Sequence, residues 1–354
     1  MIMTYALSGA LLISYLSVWI PPDRFWIPAF FGLAFPYLFM ANLILFVYWL
    51  LRLEKVSAVI LIVMLLGWNN VKHYYRIPIK NREKIDNGGG FTVTTFNVRS
   101  FNVYAWSPDV RKDEQIVWFL KKIKPDILCL QEFYTDEKRF PEKKIIEELN
   151  YPYHYISYIN QYHSHSYGLA VFSRFSLLNK KSLCFDESSN QSQLCDVIIG
   201  KDTFRLFNNH LQSTSLNKQK VPLNYLDEEG EALREVKDIS LHLRGAFIKR
   251  AKQTKMLKRY IEQSPYPLLI CGDFNDTPVS YTYKKLSRGL KDAFVESGRG
   301  LGKTYHGIFP SYRIDYILHD PRWKARQYKT YHNGLSDHYP VSCVLIKVRK
   351  GSER

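Results

Sequence analysis

The first 71 residues are almost free of charge, and nothing else in the sequence restricts the fold so strongly. No Asp, Glu, Lys or Arg occurs from Met1 to Pro22; Phe25 to Leu51 is a second uncharged run, of 27 residues, and Val56 to Val71 a third, of 16. A helix crossing the hydrocarbon core of a bilayer needs about 20 apolar residues, so the first two runs are long enough, while the third is short enough to lie at the interface instead. A cleaved signal peptide fits poorly, because no basic stretch precedes the first run and the apolar runs recur. Residues 1–71 are therefore expected to be a membrane anchor of two or three transmembrane helices.

Composition changes abruptly after the anchor. Residues 72–90 are polar, basic and end in Asn-Gly-Gly-Gly, as a linker would. The anchor holds only Arg24, Arg52, Lys55, Asp23 and Glu54, so nearly all of the net charge of +16 belongs to the remainder. A balance that basic attracts polyanions or an anionic membrane surface. The side of the membrane is set by opposing signals. Lys and Arg flanking the apolar runs favour a cytoplasmic soluble part. Cys184 and Cys195 flank a polar ten-residue loop and would be bridged in an oxidising compartment, although two unpaired core thiols fit the spacing equally well. Cys129, Cys271 and Cys343 sit in apolar runs and read as buried thiols. The expectation is an integral inner-membrane protein of bacterial type with its soluble domain outside the cytoplasm.

Beyond the linker, strand-like runs alternate with helical ones. Phe91–Val98, Asp126–Gln131, Tyr153–Tyr158, Tyr167–Ser173, Leu194–Ile199, Thr203–Asn209 and Leu268–Gly272 are rich in β-branched, aromatic or aliphatic residues, with further strands near Arg313–Leu318, Arg326–Tyr331 and Val341–Val348. Ile116, Phe119, Leu120 and Ile123 recur at helical spacing, with Asp113 and Glu114 ahead of them and lysines behind, and Pro125 ends the helix. A second helix is expected near Glu142–Asn150 and a basic one from Ala246 to Gln263, while residues 214–245 read as a polar insertion or mobile loop. Such a pattern predicts an α/β fold of two sheets packed face to face with helices outside.

The strands finish on a particular set of residues. Asn97, Glu132, His210, Asp273 with Asn275, Asp315 and the pair Asp337-His338 stand at or near strand ends. Any one is ordinary, since Gly-Asp and Asn-Asp commonly leave strands as turns and a lone Glu or His is usually solvated. Together they supply what is needed to hold a hard divalent cation and activate a water: carboxylates, carboxamides and imidazoles on rigid supports.

The segments FNVRSFN, LCLQEF, YGLAVFSR, NNHLQS, CGDFND, RIDYIL and SDHYPV, in that order, resemble the endonuclease/exonuclease/phosphatase superfamily over about residues 91–348. The resemblance implies a four-layer α/β/β/α sandwich of two packed mixed sheets, spanning residues 91–350, that cleaves phosphoester bonds with Mg²⁺ or Mn²⁺. Carried over by position, it implies that Glu132 is the main metal ligand, with Asn97 beside it and Asp337 completing the shell. It implies that Asp273 orients the attacking water, Asn275 donates to phosphoryl oxygens, Asp315 holds a histidine, His338 serves as a base and His210 as a second donor. His210 is found in the deoxyribonuclease and sphingomyelinase branches, which favours phosphodiesters. Arg99, two residues past Asn97, is a candidate phosphate contact.

The expected activity is hydrolysis of a phosphodiester, in a phospholipid headgroup or in nucleic acid, next to a membrane and with no obligate protein partner. The alternative is a catalytically silent binding or scaffolding module of the same fold. His163 and His165 fit a solvent-facing loop better than a metal site, and the tyrosines from Tyr151 to Tyr162 fit strand cores and edges. No HExxH, P-loop, GxSxG or dinucleotide fingerprint is present, so zinc peptidase, nucleotide triphosphatase and serine hydrolase readings fall away.

Overall fold

The computed structural model describes residues 1–77, 90–105, 112–138, 140–161, 165–214, 229–307 and 312–348. Most of the predicted linker, His163, Tyr162 and residues 215–228 of the predicted polar insertion lie outside the described residues. The chain divides into two compact units. One comprises Met1–Tyr74, Gln212–Lys258 and Asn275–Leu286; the other comprises Tyr75–Leu211, Arg259–Phe274 and Ser287–Arg354.

In the first unit the uncharged runs form helices α1 (Ile2–Leu16), α2 (Ile27–Leu33), α3 (Phe35–Leu51), α4 (Val56–Leu66) and the single turn α5 (Trp68–Val71). The second run is not the one straight span its length suggests. It bends by 67° between α2 and α3, because Pro36 has no N–H for the Gly32 carbonyl and its ring crowds that turn. Among the described residues no single helix is long and apolar enough to cross a membrane, while α2 and α3 taken together pass that test. Polar side chains pin α1 antiparallel to α3: Ser8 donates to Asn42 at 2.8 Å and Trp49 to Thr4 at 3.0 Å. The Tyr15 hydroxyl donates to Val63 O in α4 at 3.0 Å.

The long helix α8 (Glu229–Glu262) belongs mostly to the same unit and starts well before the predicted Ala246. In its second half Phe247, Ala251 and Leu257 are buried. Phe247 meets Phe30 edge-on at 5.1 Å, and Ser17 donates to Val279 O at 2.9 Å, just ahead of α9 (Tyr281–Leu286).

The second unit is built on two six-stranded mixed sheets. The first contains β2 (Phe91–Asn97), β3 (Ile127–Asp136), β4 (Tyr153–Gln161), β5 (His165–Ser173), β13 (Trp323–Thr330) and β14 (Val341–Lys347), in the order β13-β14-β2-β3-β5-β4. The second contains β6 (Ser176–Cys184), β7 (Gln191–Ile199), β8 (Asp202–His210), β9 (Leu268–Asp273), β10 (Lys291–Asp292) and β12 (Asp315–His319), in the order β10-β12-β9-β8-β7-β6. Two residues each of β1 (Tyr75–Arg76) and β11 (Gly300–Leu301) pair separately. Each large sheet has one central parallel pair, β2 with β3 and β8 with β9, and antiparallel pairs elsewhere. Parallel neighbours require a crossover, supplied by α6 (Lys112–Ile123) for the first pair and α8 for the second.

Val93, Cys129 and Val171 from one sheet interdigitate with Val197, Leu206 and Cys271 from the other in a single buried cluster. The outer face of the first sheet, with Phe96, Leu128 and Phe172, is covered by Ile116 and Leu120 of α6 and Ile145 and Leu149 of α7 (Glu142–Leu149). The architecture is the expected α/β sandwich of two mixed sheets with helices. Several local expectations change. Cys184 is exposed and Cys195 buried, both are free thiols, and they stand opposite Gln191 and Leu206 respectively, so no disulfide joins them. The strand leading to Cys184 escapes sequence patterning because Ser176–Cys184 is an edge strand with mostly exposed, lysine-bearing positions. Between β9 and β12 the chain also forms β10 and α10 (Ala293–Ser297), the helix capped by Asp292.

Candidate active site

Both central parallel pairs end at the same rim of the sandwich. Asn97 closes β2, and His210 and Asp273 are register partners at the ends of β8 and β9. Asp315 opens β12 rather than closing a strand, but β12 runs antiparallel to β9, so it stands opposite Asp273. Glu132 does not end its strand either: β3 continues to Asp136 past a bulge between Leu130 and Phe133, where Glu132 takes φ +51°. A bulge re-aims one side chain out of the pleat alternation. Here it turns Glu132 toward the rim while its neighbours Gln131 and Phe133 stay buried.

The resulting cluster is tight. Asn97 Nδ2 donates to Glu132 Oε1 at 3.2 Å and to Asp273 Oδ2 at 3.0 Å. His210 Nε2 lies 3.6 Å from Glu132 Oε1 and 3.8 Å from Asp273 Oδ2. His338 Nε2 lies 3.7 Å from the same Asp273 oxygen, and its Nδ1 is 3.0 Å from Asp315 Oδ2. Glu132 is 26% exposed whereas Asp273, Asp315 and the two histidines are buried, so the rim opens to solvent on the Glu132 side. Ser336 donates to Asn97 O at 2.9 Å and thereby docks the Ser336–His338 loop on the end of β2.

Arg99 and Asp337 form a second layer on the open side, with Arg99 Nε 3.5 Å from Asp337 Oδ2. Arg99 to Asn102 all have φ between +49° and +58°, one left-handed turn, which costs about 1–2 kcal/mol per residue outside glycine. The turn is held by Phe101, buried edge-on against Phe133 at 5.7 Å, and by Asn102 donating to Leu335 O. Asn275 follows Phe274 with φ +51° and counts with Asp276 in the other compact unit.

Electrostatics separate the members of the cluster. Burial pushes the Asp273 carboxyl up to about 6, only partly opposed by His338. Burial acts to lower His338, but the carboxylates of Asp315 and Asp273 outweigh it and push it up to about 10. The two carboxylates thus favour the protonated imidazole of His338. Burial lowers His210, leaving it neutral, and raises Glu132 against the donor Asn97 and the charge of His338.

The donors suit a hard divalent cation. Asp273, Asp315 and His338 lie close enough for one atom of each to fall within 4.8 Å of the others, a grouping that would take a metal only with the His338 imidazole deprotonated. The Asn97 amide bridges the carboxylates of Glu132 and Asp273, and carboxylate oxygens gathered in this way suit a hard divalent ion.

Sequence patterning missed the groups that brace the cluster. Thr304 accepts from the backbone of Ile314 and Asp315 at 3.0 and 3.1 Å, and the Tyr305 ring lies 5.0 Å from that of His338. Both lie in TYHG, whose Thr-Tyr pair is a modest strand signal with no chemistry attached. His165 stacks on Tyr134 at 5.8 Å as part of β5.

A family model described as "Endonuclease/Exonuclease/phosphatase family" matches residues 94–338, and one described as "Domain of unknown function (DUF8431)" matches residues 1–74. No curated protein matches the chain. Among similar solved structures is an endonuclease/exonuclease/phosphatase from Beutenbergia cavernae DSM 12333, with TM-score 0.52 and 16% identity over 73% of this chain and 72% of that one. The human Nocturnin catalytic domain with bound sulfate anion has TM-score 0.52 and 18% identity over 73% of this chain and 95% of that one. Truncated Caenorhabditis elegans TDP2 has TM-score 0.51 and 19% identity, covering 73% and 98%. Likeness at these identities is a likeness of fold.

Proposed function

The chain belongs to the Endonuclease/Exonuclease/phosphatase family of metal-dependent phosphoesterases, and from that premise we propose that it is a membrane-anchored, Mg²⁺-dependent phosphodiesterase. The observation that carries the reading is the convergence of Asn97, Glu132, His210, Asp273, Asp315 and His338, drawn from separate strands and loops, on one rim.

Glu132, with Asn97 and Asp337, would hold Mg²⁺ or Mn²⁺. When bound, the ion neutralises charge that develops on the phosphoryl and leaving oxygens. Asp273 orients the attacking water and takes its proton, a task that suits a carboxyl lifted toward neutral pH. Asp315 fixes the imidazole of His338, which presents a proton from Nε2 to a phosphoryl oxygen; neutral His210 is a further donor. Arg99, 48% exposed beside Asp337, is placed to meet a substrate phosphate.

The membrane part of the reading rests on the uncharged runs and on the large apolar side chains that α1, α3 and α4 leave exposed, among them Ile13, Leu16, Met40, Ile44, Ile62 and Leu66. Tethering raises the local concentration of a bilayer substrate, which favours a phospholipid headgroup over nucleic acid. The soluble domain is placed outside the cytoplasm, against the Lys/Arg balance of the flanks. Protease protection on intact cells decides the side.

The test is hydrolysis of bis(p-nitrophenyl) phosphate by the full chain, dependent on Mg²⁺, abolished by chelator and lost in His338→Ala. A panel of supercoiled DNA, RNA, sphingomyelin and phosphoinositides then assigns the substrate. A well-folded protein inert toward all of them under Mg²⁺ and Mn²⁺ would be the silent scaffolding module instead.

A further inference from the structure

The loop joining α1 to α2, residues 17–26, is braced by three cations of its own compact unit. Lys284 Nζ of α9 lies 5.0 Å from the centre of the Trp19 ring, Lys255 of α8 pairs with Asp23, and Arg244 Cζ of α8 lies 5.1 Å from the Trp26 ring. Trp19 is 63% exposed; Trp26 is half-buried edge-on against Phe30, beside Phe25, which is 49% exposed, and Arg24, Arg244 and Lys284 are exposed with them. From Ile239 to Lys258 α8 carries six Lys or Arg residues and no Asp or Glu.

The arrangement has a direction. Thr4 meets Trp49 at one end of the α1/α3 pair, and Tyr15 meets Phe35 at the other. The tryptophan loop follows the second end, whereas Arg52, Glu54 and Lys55 follow the first. Only the tryptophan end adds the basic helix α8. An apolar bundle ending in one exposed and one half-buried tryptophan, each overlaid by a long cationic side chain, matches the layer where hydrocarbon gives way to lipid phosphate. Indole rings settle at headgroup depth, Lys and Arg stems extend along apolar surface, and their charged ends reach phosphate.

We infer that Trp19, Trp26, Arg24, Arg244 and Lys284 form a docking surface for anionic phospholipid headgroups. The inference rests on the membrane reading above and adds a lipid preference to it. Phosphate from the lipid is the favoured occupant because the same surface offers apolar aromatic area beside its cations; a nucleic acid would use the charge and leave that area wet.

The experiment uses the full chain in phosphatidylcholine nanodiscs containing a minor fraction of brominated lipid, either phosphatidylglycerol or phosphatidylcholine, and reads quenching of tryptophan fluorescence. Brominated phosphatidylglycerol is expected to quench more strongly, and Trp19→Phe with Trp26→Phe to remove most of the difference. Arg244→Gln with Lys284→Gln is expected to weaken the phosphatidylglycerol preference roughly tenfold or more, each single variant less, with an unchanged melting temperature confirming the fold. Equal quenching by the two lipids, a preference untouched in the double variant, or a surface protected by an oligonucleotide but not by phosphatidylglycerol would each overturn the inference. Failure to remain in the nanodisc would overturn the membrane reading with it, whereas stable insertion without lipid preference would remove the docking surface alone.

Discussion

Gln131 donates its side-chain amide to Asn208 Oδ1 at 2.6 Å, joining the middle of one sheet to the middle of the other, and both residues are wholly buried. Asn208 in turn donates to Leu130 O at 3.1 Å and Ala170 O at 3.2 Å. Glu132 follows Gln131 directly, and His210 stands two residues beyond Asn208, so this bridge sets the spacing between the two halves of the rim. Asn208→Leu would leave two buried carbonyls without that donor and the Gln131 amide without this acceptor. At about 1–3 kcal/mol for each buried group left unsatisfied, the variant is expected to lose about 3 kcal/mol or more, measured as a lower urea midpoint at unchanged m-value. A midpoint equal to the parent's would show that the sheets are registered by apolar packing alone.

Asp273 should be needed for turnover and dispensable for folding. Asn in its place keeps the shape and an acceptor for the Asn97 amide, but cannot take a proton from water. Its carboxylate is also one of two that hold the proton on His338. Asp273→Asn is expected to lower kcat on bis(p-nitrophenyl) phosphate by at least about 10²-fold while the melting temperature barely moves. Equal rates would take Asp273 out of the mechanism.

The strands of the sandwich were legible where both faces are buried, because runs such as Leu268–Cys271 have no polar alternation to confuse with a surface strand. What escaped depends on partners that a linear reading does not contain. Asp315 looks like a residue inside a strand signal, and only antiparallel pairing with β9 puts the start of β12 at the rim beside Asp273. Glu132 looked like a strand terminus because a bulge has no signature in LCLQEF. NNHLQS drew attention to His210, yet Asn208 is the residue that ties the sheets, and its partner Gln131 lies 77 residues away. The bend at Pro36 was readable from the chain alone, but the uninterrupted apolar composition masked it.

Glu296 gives a pH test well away from the rim. Burial alone would raise its carboxyl, but the His319 imidazole 3.2 Å away and the Ala325 N–H at 2.7 Å outweigh that and hold it below the usual range. A carboxyl depressed by folding contributes fully above the unfolded value, about 4.3 for Glu, and loses the contribution as pH falls through the folded value. Glu296→Gln is therefore expected to cost about 1–2 kcal/mol at neutral pH, with the gap to the parent closing as the medium is acidified below about pH 4. Guanidinium unfolding across that range checks it. A gap that stays constant would mean that the side chain acts by shape rather than charge.

Arg250 is only 1% exposed, with its guanidinium over the Phe247 ring at 5.2 Å and polar partners around it. Its Nη1 donates to Gln212 O at 2.7 Å and its Nε lies 3.4 Å from Asp276 Oδ2, while Gln253, one turn along α8, accepts from the Gln212 N–H at 2.9 Å. Burial already raises the Asp276 carboxyl, and Arg250 is the largest influence pulling it back. Arg250→Met fills most of the same volume but strands that carboxylate, an error that costs about 3–5 kcal/mol when one partner of a buried pair is removed. Asp276→Asn in the same chain removes the stranded charge, so the double variant is expected to be more stable than Arg250→Met alone even though it carries one more substitution. Urea unfolding of the parent, the two single variants and the double completes the cycle. Strict additivity would show that Arg250 stabilises α8 through Gln212 and that its pairing with Asp276 is incidental.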